Sequence, residues 1–142
     1  MKFKAASIAA ASIALAGVAS APAVASPNLY WIVQCQTTGS EGFVKYSPIS
    51  SSTTRIDVRL GVWDEAADGH HSRVRLITKN KYGGIVYYSW RSDTNGANNG
   101  KLNWDTYASD TDGIKDVGVQ VATYEGDTQL YSCTDWTEVR NV

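Results

Sequence analysis

Arg55-Ile56-Asp57-Val58-Arg59-Leu60-Gly61-Val62-Trp63 alternates apolar and polar side chains residue by residue. Ile56, Val58, Leu60 and Val62 fall on one face, with Arg55, Asp57 and Arg59 on the other. A strand turns successive side chains to opposite faces. On a helix the same four apolar residues would be scattered around the axis, so the pattern specifies a strand with one buried face.

The flanking sequence continues in the same manner. Asp68-Gly69 predicts a hairpin turn, from which Ser72 to Lys79 returns with Val74, Leu76 and Thr78 opposed to Arg73 and Arg75. Gly83-Gly84 predicts a second turn, and Ile85 to Arg91 is a β-branched and aromatic strand. Upstream, Leu29 to Gln36 forms a strand carrying Cys35. Asp93 to Gly100 has no apolar period and two Asn-Gly pairs, and is expected as an exposed loop. Leu102 to Tyr107 is a short strand, and Ser109-Asp110-Thr111-Asp112-Gly113 a turn. Val117, Val119 and Val121 restore the alternation, Glu125-Gly126-Asp127 turns the chain, and Gln129 to Cys133 closes it. About seven strands and no helix predict an all-β fold, a compact antiparallel β-sandwich or barrel. Val58 to Asp64 echoes Val119 to Glu125, each an alternating strand ending in an aromatic, an acid and a turn, as two similar halves of a sandwich would.

Lys2 and Lys4, the apolar run Ala5 to Ala19, Pro22 and Ala23-Val24-Ala25 together have the form of a secretory signal. Cleavage before Ser26 is expected, so residues 1–25 are read as signal peptide and 26–142 as a single secreted domain. The run is too short for a ~30 Å hydrocarbon core, and no second apolar stretch follows, so no membrane association is expected. In an oxidising compartment Cys35 and Cys133, one near each end of the mature chain, are expected to form a disulfide. Of 13 basic residues, loss of Lys2 and Lys4 leaves 11 against 14 acidic ones, a net charge of −3. That balance excludes the usual nucleic-acid binder, whose affinity rests on clustered Lys and Arg.

Carboxylates and histidines offer the catalytic alternatives. His70 and His71 follow Asp64, Glu65 and Asp68, but adjacent residues on a strand point to opposite faces and the usual zinc spacing is missing. Asp105, Asp110, Asp112, Asp116 and Asp127 fall where hard oxygen ligands collect, and Asp110-Thr111-Asp112-Gly113 begins like a calcium loop but lacks the later Gly and the distant Glu. The sequence has no G-x-S-x-G elbow, H-E-x-x-H or phosphate loop. No metal and no cofactor is assigned. A small hydrolase would draw on Glu65, Asp68, His70 and Glu125.

Five tryptophans and eight tyrosines are the stronger functional signal. These side chains join a flat apolar face to a polar tip, which suits stacking on sugar rings or anchoring a protein partner. Tyr87, Tyr88 and Trp90 cannot all point inward from one strand, so at least one faces out beside the Asn-rich loop. Tyr88, Trp90, Arg91, Asn95 and Asn98 are accordingly the expected ligand-binding residues.

The stretch Val62 to His71, with Arg73-Val74-Arg75-Leu76, Gly118-Val119-Gln120-Val121 and Tyr124 to Leu130, resembles small exported actinobacterial proteins of uncharacterised function. The resemblance implies secretion and a disulfide, and carries no activity. Locally, Tyr88-Ser89-Trp90-Arg91 resembles the Trp-Arg-aromatic tripeptide of tendamistat-type amylase inhibitors. The third position here is Ser92, and two cysteines stand in place of four. The sequence therefore reads as a secreted, monomeric, non-enzymatic protein that binds an extracellular glycan or a secreted protein such as a hydrolase. A small secreted hydrolase and a structural envelope or spore-surface component are the alternatives.

Overall fold

The computed structural model describes residues 29–137, and the export signal read at residues 1–25 lies outside them. Eight strands form β1 (Trp31–Thr37), β2 (Ser40–Tyr46), β3 (Thr53–Asp64), β4 (His71–Asn80), β5 (Ile85–Tyr87), β6 (Arg91–Ser92), β7 (Leu102–Glu125) and β8 (Thr128–Trp136). Every pairing is antiparallel, and no helix occurs among the described residues.

The sheet folds over along β7. The first part of this long strand pairs with β3, Leu102 opposite Val62 and Ser109 opposite Arg55. Its second part lies between β4 and β8, Val121 opposite both Val74 and Cys133. One layer therefore runs β1-β2-β3-β7 and the other β8-β7-β4, with β5 and β6 sharing the far edge of β4. Val44, Val58, Leu60 and Val62 from the first layer and Val74, Leu76, Val119 and Val121 from the second form one core, each 4% exposed or less. Burial of these side chains is the main stabilising term, at about 1.5–3 kcal/mol each. The Cys35–Cys133 disulfide joins β1 to β8, two edges that no strand pairing joins, across a separation of 98 residues.

Four details depart from the sequence reading. β2 was not anticipated, because its inward positions are Ser40, Gly42, Val44 and Tyr46, and the first two carry no apolar signal. Gly42 is required there: a Cβ would sit 2.6 Å from Val121 Cγ2 in the opposite layer. Asp68-Gly69 turns the chain without making a hairpin, since β3 pairs with β2 and β7 while β4 pairs with β5, β6 and β7. The connection crosses between layers, and Leu60 and Leu76 both face the interior. Ser109 to Gly113 does not reverse the chain; with Gly113 at φ +82° it carries β7 from one layer to the other. Finally, Ile85 to Arg91 breaks at residues 88–90 into β5 and β6. The echoing segments Val58–Asp64 and Val119–Glu125 lie on the interior strands of their respective layers, both with the alternate Val and Leu side chains turned inward.

Candidate functional site

The break at residues 88–90 makes a strap along the open side of the sandwich, opposite the disulfide. Tyr88 N donates to Leu76 O at 3.1 Å, and the Tyr88 hydroxyl donates to Ser109 O at 3.3 Å, bridging the two layers. The Arg91 guanidinium lies 5.5 Å from the Trp104 ring centre, and Trp90 packs edge-on against Tyr124 at 5.9 Å. Between the strap and β7 is a slot of about 320 Å³. Leu60 and Leu76 form its apolar floor, Tyr88, Trp90 and Arg91 one wall, and Thr106 and Tyr107 the other. Three expected binding residues thus share one cavity. Tyr87, which with Ile85 is exposed on β5, is 54% exposed.

Asn95 and Asn98 do not line that slot. Their loop is tied to the end of β3: Asn98 N donates to Asp64 O at 3.0 Å, and Asn95 N donates to the Asp93 carboxylate at 2.8 Å. Asn98 adopts φ +60°, a conformation that Asn tolerates better than most residues. Most of the loop is exposed as expected, but Ala97 is half-buried and Asp93 is buried, accepting a bond from Asp64 N at 3.1 Å.

A second and larger groove, about 560 Å³, lies against the outer face of the first layer. Its floor holds Arg59 on β3, whose Nε and Nη2 donate to the two Asp105 carboxylate oxygens on β7 at 2.8 and 2.9 Å. The Arg59 bond holds the Asp105 carboxyl below the usual carboxylate range. Tyr107 stands on one side under the Arg55 guanidinium, 3.7 Å from its ring centre, and Tyr30 on the other under Lys45 at 4.2 Å. Both tyrosines are about half exposed, at 50% and 48%. Thr106 and Tyr107 line both cavities, so the slot and the groove flank the same stretch of β7, Thr106 turned to the core side and Tyr107 outward. Tyr30, Arg59 and Tyr107 were not singled out from sequence, and Asp105 only among candidate calcium ligands. The outward phase of Arg59 was legible, but its partner depends on the β3–β7 register.

The hydrolase candidates occupy one end of the sandwich. His70 Nδ1 lies 3.1 Å from Asp68, and His70 N also donates to that carboxylate, holding it below its usual range. Glu65 accepts a bond from Gln36 Nε2 at 2.8 Å, and Glu125 is exposed at the β7–β8 turn. Neither the slot nor the groove takes in any of the four. Beneath them Ser40, Ser72 and Thr123 form a buried hydroxyl cluster, with Ser40 Oγ 2.6 Å from Ser72 Oγ and 2.7 Å from Thr123 Oγ1. Asp64 is buried beside Asp93, and the loss of hydration raises its carboxyl above the usual range. His71 stacks on Tyr124 and accepts a bond from Arg73 Nε at 3.1 Å. Among the described residues no three His, Cys, Asp or Glu side chains are grouped to hold a metal ion.

No protein-family model matches this chain, and no curated protein or solved structure matches it.

Proposed function

We propose that this protein is an exported binding module for an extracellular glycan, which it holds in the slot and groove on the two sides of β7 at Thr106 and Tyr107. The sharing of those two residues is the observation that carries the reading. The slot opens on the core side of that stretch of β7 and the groove on its outer side, so an extended ligand laid over the β7 edge would reach from Trp90 and Tyr88 to Tyr107 and Tyr30. Each cavity falls within the roughly 300–1,000 Å³ of ordinary ligand clefts. Aromatic rings supply stacking surfaces, while Arg59 and Asp105 present planar groups suited to pairs of neighbouring sugar hydroxyls. The Cys35–Cys133 disulfide is compatible with an extracellular location.

A glycan is favoured over a hydrolase active site as partner because Trp90 and Arg91 do not project. Trp90 rests against Tyr124 and Arg91 over Trp104, and both are partly buried. Residues that enter another protein's cleft must stand clear of their own surface. The test is retention on insoluble polysaccharides such as cellulose, chitin, mannan and peptidoglycan, with Tyr107→Ala alongside the mature protein. Retention on one polysaccharide, lost in the variant at unchanged melting temperature, is expected. Retention on none of them, or retention indifferent to Tyr107, would refute the reading.

A further inference from the structure

We propose that Arg75 is the anion-binding point of a further subsite, on the outer face of the β4–β7–β8 layer, that takes the carboxylate or phosphate group of an anionic glycan. The inference rests on the glycan reading only for the sugar; the anion contact stands on Arg75 and its surroundings.

Strand alternation turns Arg73, Arg75, Ile77 and Lys79 of β4 away from the core. Register places Arg73, Arg75 and Ile77 beside Ala122, Gln120 and Gly118 of β7, and these beside Ser132, Thr134 and Trp136 of β8. Such a face would ordinarily be solvated, yet Ile77 is wholly buried on it. Tyr87 is its partner in register on β5, and Trp136 lies so close over Gly118 that a Cβ there would be 2.7 Å from the ring. The face therefore carries a built layer of aromatic side chains.

Cations are set into that layer. The Arg75 guanidinium lies 4.5 Å from both the Tyr87 and the Trp90 ring centres, and Nε donates to Gln120 Oε1 at 2.6 Å. Its partners are thus two rings and a neutral amide, and among the described residues it makes no ion pair. Arg59, in the groove, is by contrast neutralised by Asp105. A guanidinium positioned by rings keeps its charge, and with Nε engaged its terminal nitrogens are presented in a fixed orientation to an incoming anion. Arg73 stacks on Tyr124 at 4.1 Å and Lys79 on Trp136 at 4.8 Å along the same face. Acids at the margin are Asp127, 3.3 Å from Arg73, and Asp116, opposite Lys79; neither pairs with Arg75.

A sheet recognises an extended peptide chiefly at its edge, where main-chain groups are free. An interior face offers side chains alone, here Gln120, Ser132 and Thr134 between flat rings, which suits sugar hydroxyls and ring faces. Trp90 lines the slot and also stacks on Arg75, so a bound chain can pass from one region to the other.

The experiment measures affinity of the mature protein for polygalacturonate, which carries carboxylates, and phosphomannan, which carries phosphates, with neutral dextran and poly-glutamate as comparators. Binding of at least one anionic glycan, in preference to both comparators, is expected. Arg75→Gln should weaken it about tenfold and lower the slope of log affinity against log salt by about one. Arg75→Lys should keep the slope and recover only part of the affinity, since ammonium lacks the planar fork. Equal binding by Arg75→Gln of unchanged melting temperature overturns the inference, as does binding to neither anionic glycan or tighter binding to poly-glutamate. Tyr107→Ala separates the two proposals. Loss of glycan binding there with no effect at Arg75 leaves the groove reading and removes this one; the reverse pattern leaves the anion site and removes the groove.

Discussion

Arg59 on β3 and Asp105 on β7 face each other across the floor of the groove, joined by two parallel hydrogen bonds of 2.8 and 2.9 Å. Both side chains are largely exposed, at 55% and 74%, so the pair adds little to stability. Its contribution is to fix two planar polar groups between Tyr30 and Tyr107. Asp105→Asn should therefore leave the melting temperature unchanged while weakening glycan retention several-fold. Because Arg59 lowers the Asp105 pKa, the ionised pair is lost only when pH falls through that depressed value. Retention measured from neutral to mildly acidic pH should accordingly be flat.

Cys35 and Cys133 close a loop of nearly the whole described chain. Thiol labelling of the unreduced protein should find no reactive cysteine. On the chain-entropy argument, replacing both residues by Ser should cost up to about 4–5 kcal/mol, measured by urea denaturation. Equal midpoints for the two proteins would show that the β1 and β8 edges hold without the bond.

Gly42→Ala should destabilise the fold by about 1–3 kcal/mol, the usual cost of overpacking a core. The added methyl would lie 2.6 Å from Val121 Cγ2 and 3.1 Å from Val74 Cγ2, both fully buried. Gly69→Ala is the control for glycine itself: it has open space and φ +81°, so only backbone strain should register.

This glycine also shows where sequence reading reached its limit. The strands around Ile56–Val62 and Val117–Val121 were legible because apolar side chains fill one face at period two. β2 was not, because close approach of the opposite layer demands Gly42 and the hydroxyl cluster demands Ser40, both of which erase the period. Gly113 likewise reads locally as a turn, and only the pairings on either side show one strand continuing through it. Of the candidate site, Tyr88, Trp90 and Arg91 were reachable from alternation and residue type. The Arg59–Asp105 floor and the Arg75–Gln120 contact each depend on a register between segments about 45 residues apart, which no local pattern encodes.

Asp64→Asn should stabilise the protein near neutral pH, with a gain that shrinks on acidification. Burial raises the folded-state pKa of Asp64, so the folded protein takes up this proton before the unfolded chain does. The associated stability is complete below the unfolded pKa and is lost as pH rises through the raised folded value. The amide imitates the protonated side chain and retains an oxygen for Ala66 N, which donates to Asp64 at 3.2 Å. Melting temperatures of both proteins across the carboxylate range and up to neutral pH check this; a variant less stable at neutral pH would mean that the ionised form is the one the fold needs.

Amide chemical-shift mapping with the retained glycan tests binding over the β7 edge most directly. One set of perturbed residues running from Tyr30 and Arg59 through Thr106 and Tyr107 to Tyr88 and Trp90 is expected. Perturbations confined to the Asp68–His71 end, or split into patches that spare Thr106 and Tyr107, would contradict it.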